Sequence, residues 1–176
     1  MGTMKLYRAK VPEIAKDVIH LLIEEGDIEV TGDHRSEAEQ DLVAIMEEFM
    51  RRDFALRERI GDYMAARRIP YTEFGRTKKQ MAEEMGHPIG DDIERFLCRQ
   101  FVENLMISHF VEEVYGEDRE MYKKILPILR GHNVDERAIR EEAIAKIKNV
   151  QEGTIDYEIA LQGAIKDVKK RRGLIR

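Results

Sequence analysis

The chain has 176 residues, of which 37% are charged and 43% are hydrophobic, and its net charge is -5. This length suits a single domain with one core and argues against two independent enzymatic domains. The acidic balance argues against a general polyanion binder, so any contact with nucleic acid has to come from a local basic patch. The one cysteine, Cys98, offers no disulfide framework or metal cluster and is expected to fill the core in a reducing cytosol.

The sequence contains no apolar run long enough for a signal peptide or a membrane span. We therefore expect a soluble, unanchored protein in the cytoplasm. The first predicted element is a helix over residues 11–25, where apolar side chains recur at helical spacing between Pro12 in the first turn and Gly26 after the end. Ile28 and Val30 alternate with polar residues and predict only an extended connector.

A long helix is predicted from Ser36 to about Arg68. Its apolar residues recur every seven positions, which is typical of one continuous packed face: Leu42, Phe49, Leu56 and Tyr63. At ~1.5 Å per residue this helix is about 50 Å long, whereas a compact globule of this chain length is about 40 Å across. The molecule is therefore predicted to be elongated or lobed.

Shorter helices are predicted in the middle of the chain. Glycine, proline and capping residues divide it into four stretches: residues 72–85, 91–108, 110–115 and 118–130, the last bent or ended near Pro127.

A final helix is predicted from Asp135 to about Lys170. Its apolar positions alternate in steps of four and three through Gly153 without a slip, and a glycine inside a helix costs only ~1 kcal/mol. The alternative ends one helix at Gly153 and starts another at the N-cap Thr154, which would fold the chain into a hairpin. The unbroken spacing favours the continuous helix.

Together these elements predict an all-α, elongated helical protein formed by residues 1–176 as one unit. Two long helices are expected to pack together and to carry a compact multi-helix module at one end. Residues 4–68 and 133–176 would form the long-helix lobe, and residues 70–132 the module.

Five short strings in the sequence resemble those of a known family. They occur in this order: Leu6-Tyr7-Arg8, Gly26-Asp27-Ile28-Glu29-Val30, residues 70–76 (PYTEFGR), residues 108–115 (SHFVEEVY) and residues 147–154 (IKNVQEGT). Together they resemble the bacterial DUF 507 family, a group named for its unknown function, over nearly the whole chain from about Met4. The resemblance implies a bacterial protein and supplies no substrate, cofactor or catalytic residue.

Residues 67–79 form the one stretch whose composition suggests a use beyond packing. It contains five cations and two aromatic residues: Arg67, Arg68, Tyr71, Phe74, Arg76, Lys78 and Lys79. The cations would bind phosphates near a helix start, and the aromatic rings would stack on bases. The alternative is an architectural corner in which Tyr71 and Phe74 fill the core, Glu73 pairs with an arginine and the cations are solvated. The usual packing of corner aromatics favours this second interpretation.

A second basic stretch lies in residues 166–176, with six cations against Asp167. It would extend a basic surface if it lay near residues 67–79 in the folded protein. The alternative is a solvated helix end, whose cations suit the negative pole of the helix. This alternative is favoured, because terminal charges are generally solvated.

Two other kinds of site are disfavoured by the residues. A helix-turn-helix around Gly86 would place Asp91 and Asp92 against DNA phosphates of like charge. A di-iron helical bundle needs two Glu-x-x-His pairs, and Glu84 with His87 is the one pair in that order. We therefore predict no catalytic residue, no cofactor and no metal site.

The predicted function is that of a non-enzymatic binding or scaffold protein acting through helical protein contacts, with an unknown protein partner or a second copy of the chain. Binding of RNA or another phosphate ligand at residues 67–79 is the first alternative. A metal-dependent enzyme using carboxylates and histidine is the least favoured. We expect no membrane contact and no sequence-specific DNA binding.

Overall fold

The computed structural model describes residues 4–147 and 149–176 and confirms that the protein is all-α. The described residues form seven helices and two strands of two residues each. In chain order these are α1 Val11–Glu24, β1 Ile28–Glu29, α2 Arg35–Arg67, α3 Phe74–Met85, α4 Asp92–Ile107, β2 Glu113–Val114, α5 Asp118–Gly131, α6 Glu136–Lys146 and α7 Ile155–Arg171. The first five helices begin and end close to the positions that the sequence predicts.

The long helix α2 is unbroken over 33 residues, but its apolar face is divided between two sets of partners. Its first half packs with α1, α4 and α5 in the main core, to which it contributes these buried residues: Ala38, Leu42, Val43, Met46 and Phe49. Its second half packs with α3 in a smaller distal core through these residues: Leu56, Ile60 and Met64. One continuous stripe of residues therefore supports two separate cores.

The brief helix predicted over residues 110–115 is wrong. Glu113 and Val114 instead form β2, which pairs antiparallel with β1 so that Val114 lies opposite Ile28. The backbone N–H of Glu112 also donates to the Glu29 carbonyl at 2.8 Å. The connector after α1 offers unpaired backbone groups at this point, and pairing satisfies them over a stretch too short for a stable helix.

The single helix predicted from Asp135 to about Lys170 is also wrong. α6 ends at Lys146, and α7 begins after Thr154, whose hydroxyl oxygen accepts a hydrogen bond from the Tyr157 backbone N–H at 3.1 Å. Gly153 has a φ of 87°, which a helix does not permit. The chain therefore folds back as a C-terminal hairpin of α6 and α7, and Lys148 between them lies outside the described residues.

Burial explains why the hairpin forms in place of a continuous helix. The helices α6 and α7 turn their apolar stripes toward each other and form a hairpin core with these buried residues: Tyr7, Ile139, Ala143, Leu161, Ala164, Val168 and Leu174. A continuous helix would leave much of this surface in water, at a cost of about 25 cal/mol per Å² of apolar area. The apolar residues keep their spacing of four and three on both sides of Gly153 because the apolar stripes of α6 and α7 both face the hairpin core. The predicted division of the chain into a long-helix lobe and a module stays a prediction.

The C-terminal end of α2 is closed by Arg68, which adopts a left-handed conformation with a φ of 51°. The next residue, Ile69, donates its N–H to the Met64 carbonyl at 3.0 Å, the bond that closes a Schellman turn. Glycine generally occupies this position, because a Cβ atom makes the left-handed conformation unfavourable.

Replacing Arg68 with glycine is therefore expected to raise the free energy of unfolding by about 0.5–1 kcal/mol. Urea-induced unfolding followed by circular dichroism measures this change. The matched control is Arg67→Gly, one residue earlier in the last helical turn, which is expected to lower the same free energy by up to about 1 kcal/mol. Equal effects of the two substitutions would contradict a role for backbone strain at Arg68.

Candidate functional site

An open cavity of about 1250 Å³ lies where distant parts of the chain meet. One wall is the N-terminal segment, residues 4–9, and another is the middle of α2 between residues 49 and 57. The end of α7 and the residues after it, from 162 to 176, supply a third wall. Side chains of α3, α4 and α6 complete the lining. The cavity thus depends on tertiary structure and corresponds to no local motif.

The lining is strongly cationic although the chain as a whole is acidic. Seven basic side chains line the cavity: Lys5, Arg8, Arg57, Lys78, Lys166, Lys169 and Arg176. Two carboxylates lie among them, those of Asp53 and Glu136. The side chains therefore carry an excess of five positive charges in a protein whose net charge is -5. A concave wall of one sign of charge focuses the potential and raises the local concentration of anions.

Nine large apolar side chains occupy much of the rest of the lining. They are Met4, Leu6, Phe49, Met50, Phe54, Ile93, Ile165, Leu174 and Ile175. Phe54 is 66% exposed, so its ring stands in the cavity and is not part of a core. Cavities that combine an apolar lining with a few charged groups are typical of ligand sites.

The N-terminal segment joins the C-terminal hairpin to the rest of the protein. It is extended at Tyr7, with φ and ψ of -96° and 141°, and successive side chains of extended backbone point to opposite sides. Met4 and Leu6 pack in the main core, whereas Tyr7 packs in the hairpin core. The segment therefore holds the hairpin beside α2, and the cavity is the space that remains between them.

A polar cluster around Glu136 fixes this arrangement. The Tyr7 hydroxyl donates a hydrogen bond to the Glu136 carboxylate, which also lies 3.9 Å from the ammonium of Lys5 and 3.7 Å from that of Lys169. The two ammonium groups lie 5.2 and 5.5 Å from the centre of the Tyr7 ring, within the range of a cation–π contact. One carboxylate and one ring thus hold two lysines of like charge together.

Burial shifts the pKa values of two groups in this cluster. Burial, with a further contribution from the hydrogen bond to Glu136, raises the pKa of the Tyr7 hydroxyl, which therefore stays protonated and donates. Burial, followed by the charge of Lys169, lowers the pKa of Lys5 against the opposing effect of Glu136.

The remaining cations of the lining differ in how far they are neutralised. Arg57 pairs with Asp53 at 3.1 Å. Four other cations form no ion pair with a residue that the structure describes: Arg8, Lys78, Lys166 and Arg176. These four side chains are the ones free to contact an anion that enters the cavity.

The structure separates the seven residues that the sequence groups in 67–79. Lys78 lines the cavity, whereas the Tyr71 ring lies outside and is 80% exposed. The expectation that Tyr71 fills the core is wrong, because the short 3-10 turn Tyr71–Glu73 carries its ring outward. Phe74 is half-buried against the distal core, and its ring stacks on Tyr71 with the centres 5.4 Å apart.

The other cations of this stretch have separate environments. The Arg67 guanidinium lies 3.9 Å from the centre of the Tyr63 ring, and Arg76 lies 3.8 Å from the Glu73 carboxylate. Arg68 and Lys79 are exposed. That all seven residues act as one interaction surface stays a prediction. Lys166, Lys169 and Arg176 of the basic end line the same cavity as Lys78, which is the residue of this stretch that the lining includes.

His87, the histidine considered for a metal site, belongs to a different arrangement. Its Nε2 lies 3.1 Å from a carboxylate oxygen of Asp53, and its ring stacks on Phe49 at 5.1 Å. Within residues 4–147 and 149–176, no three His, Cys, Asp or Glu side chains are grouped so that they could hold a metal ion. None of the helices in the described residues combines the length and the apolar character of a membrane span.

Comparison with known families tests the resemblance that the sequence shows. A family model described as "Protein of unknown function (DUF507)" matches residues 4–174. The chain belongs to the DUF507 family. A search of curated proteins finds no match to the chain. All of the cavity lining except Ile175 and Arg176 falls inside the part that matches DUF507, so the site is built from the family's own region.

In this DUF507 protein, Tyr7→Ala is expected to lower the free energy of unfolding by about 3 kcal/mol, because it removes a buried ring from the hairpin core. Tyr7→Phe keeps the ring and loses only the hydrogen bond to Glu136, so the expected loss is about 1 kcal/mol. Urea unfolding measures both values, and amide hydrogen exchange locates the effect. Loss of protection that spared α6 and α7 would contradict the role assigned to Tyr7.

Proposed function

We propose that this protein is a non-enzymatic binding protein that takes an anionic ligand into the cavity between the N-terminal segment, α2 and α7. The observation that supports this proposal is the excess of five positive charges in the lining of an acidic protein. A bacterial cytoplasmic location is part of the same proposal. The buried Cys98, whose pKa burial raises to about 12, is consistent with a core that does not rely on disulfides.

Electrostatics favour an anion over a neutral ligand. A single exposed ion pair contributes only about 0–1 kcal/mol, so scattered surface cations bind little. Several cations that line one concave wall act together, and the apolar surface beside them strengthens each contact by excluding water. Arg8 and Arg176 offer planar donor groups that suit the paired oxygens of phosphate or carboxylate.

The chemistry of the lining supports binding over catalysis. Its described side chains include no His, Cys or Ser, the residues that most often serve as general base or nucleophile. The carboxylate of Glu136 already accepts from Tyr7 and pairs with two lysines. What the lining offers a ligand is positive charge and apolar contact.

Inorganic pyrophosphate is a suitable probe, because it carries dense negative charge without an apolar part. We expect isothermal titration calorimetry to detect its binding to the wild-type protein, with an affinity that falls as salt rises. The double variant Arg8→Gln/Lys166→Gln removes two unpaired cations of the lining and is expected to bind about tenfold more weakly, at roughly 0.7 kcal/mol for each lost contact.

The matched control is Lys123→Gln/Arg137→Gln, which makes the same change of charge at two exposed helix positions outside the lining. The control is expected to bind pyrophosphate like the wild-type protein. An equal loss in both double variants would show that net charge and not the cavity governs binding. A wild-type protein without affinity for pyrophosphate would contradict the proposal.

A second candidate function, that of a scaffold acting through helical protein contacts, is favoured by apolar side chains exposed on the C-terminal hairpin. Ile155 and Ile159 are 79% and 67% exposed and lie four residues apart, on one face of α7. Ile144 of α6 is 39% exposed. Exposed apolar surface of this kind is typical of protein contact sites. We propose either a second copy of the chain or another protein as the partner.

Analytical ultracentrifugation tests the first of these partners. If two copies associate through the hairpin, the wild-type protein sediments as a dimer, and Ile155→Glu/Ile159→Glu sediments as a monomer because charge replaces the apolar face. Ile107→Glu serves as the control, since Ile107 is 77% exposed at the end of α4, away from the hairpin. A monomeric wild-type protein at all concentrations would exclude self-association.

A further inference from the structure

Tyr71 is exposed and close in sequence to Lys78, which lines the cationic cavity. Its ring is the most exposed of the large apolar side chains in the described residues, at 80%, and it stacks on Phe74 with an angle of 23° between the rings. Packing against the distal core explains why an aromatic residue occupies position 74. Packing does not explain an aromatic residue at position 71, because the Tyr71 ring presents its flat face to solvent.

Lys78 connects this aromatic pair to the cavity. Phe74 and Lys78 are four residues apart in α3, so they lie on one face of the helix about 6 Å from each other. Lys78 lines the cavity and forms no ion pair with a described residue. The stacked pair of Tyr71 and Phe74 therefore lies beside a helix face whose Lys78 lines the cavity.

A second exposed ring and a second cation line the cavity itself. Phe54 and Arg57 are three residues apart in α2, so they also share one helix face, and both line the cavity. Phe54 is 66% exposed. Three rings and two cations therefore lie in or beside the cavity, and we name this set the aromatic path: Tyr71, Phe74, Lys78, Arg57 and Phe54.

Two carboxylates beside the aromatic path, those of Glu73 and Asp53, are already paired. Glu73 lies 3.8 Å from Arg76, and Asp53 contacts both Arg57 and His87 at 3.1 Å. Each carboxylate therefore has a basic neighbour that reduces its repulsion of a bound anion. The balance of the lining remains five positive charges in excess.

We propose that the anionic ligand of this cavity is a single-stranded nucleic acid, whose phosphates contact the cations of the cavity while unpaired bases stack on Tyr71 and Phe54. This inference rests on the proposed function and names its ligand class. Proteins that bind single strands combine a cationic groove with aromatic faces, because every base has a flat face and every nucleotide has a phosphate. A small anion would use the cavity and leave Tyr71 without a contact.

Fluorescence anisotropy with a fluorescein-labelled oligouridylate of eight nucleotides tests the proposal. We expect the wild-type protein to bind this probe with an affinity that decreases steeply as salt rises. Tyr71→Ala is expected to weaken this binding about tenfold, the effect of losing one stacked base, and to leave the affinity for inorganic pyrophosphate unchanged. Phe54→Ala is also expected to weaken oligonucleotide binding about tenfold, because it removes a stacking surface inside the cavity. Both side chains are largely exposed, so neither change removes a core contact.

The matched control is Tyr115→Ala, which removes a tyrosine that is 66% exposed and bonded to Glu29, outside the cavity lining. It is expected to bind the oligonucleotide like the wild-type protein. Oligodeoxythymidylate of the same length distinguishes DNA from RNA as the source of the strand. A duplex of the same length is expected to bind more weakly, because paired bases cannot stack on the rings.

The outcomes separate this inference from the function on which it rests. If pyrophosphate binds and Tyr71→Ala and Phe54→Ala bind the oligonucleotide like the wild-type protein, the cavity is an anion site and the nucleic-acid assignment is overturned. Preference for phosphatidylglycerol vesicles over the oligonucleotide would also overturn it. If the wild-type protein binds neither pyrophosphate nor oligonucleotide, both proposals fail. Oligonucleotide binding that depends on Tyr71, in a protein that also binds pyrophosphate, supports the inference.

Discussion

The insertion of Tyr7 between α6 and α7 is the contact on which the arrangement of the molecule depends. The hairpin core consists of α6, α7 and the residues after α7, together with Tyr7 from the other end of the chain. Met4 and Leu6, which precede Tyr7 in the extended segment, belong to the main core. A short stretch of extended backbone therefore joins two cores because its alternate side chains point in opposite directions. Glu136 reinforces the joint by accepting from the Tyr7 hydroxyl.

The same contact explains why the cavity exists and why cations from several parts of the chain meet in it. Since the hairpin is held to α2 through one strand-like segment, the space beside that segment is not filled by side chains, and lysines and arginines from four regions line it. Stability does not require this distribution. The side chains of the lining carry an excess of five positive charges that repel one another, and a chain with more acidic than basic residues contains enough carboxylates to neutralise them. Local departures of this kind from the most stable arrangement are expected where a protein binds a ligand.

Local signals in the sequence predict the ends of α1 to α5 but not the structure of residues 110–115. Caps, chain breakers and apolar periods located α1 and α2 nearly to the residue, because helix ends depend on neighbours in sequence. The regular apolar spacing through Gly153 wrongly predicts one continuous helix, because such spacing shows that an apolar stripe is buried but not which surface covers it. The pairing of β1 with β2 was missed because its partners lie far apart in sequence. The dense local charge of residues 67–79 and 166–176 marks Lys78 and the basic end as candidate ligand contacts. Lys5, Arg8 and Arg57 have no such local signal, because only the tertiary structure assigns them to the cavity.

The joint between the ends of the chain also bears on the order of folding during synthesis. Tyr7 and Glu136 are separated by 129 residues, and the amide of Lys5 contacts Asn133 over 128. Contacts of such long range form late, because the loop between them has to close first. The main core can assemble from the helices up to α5 while the rest of the chain is still on the ribosome. The cavity wall is then the final part of this fold to form, so a nascent chain acquires its cationic site only after residues 162–176 have left the ribosome.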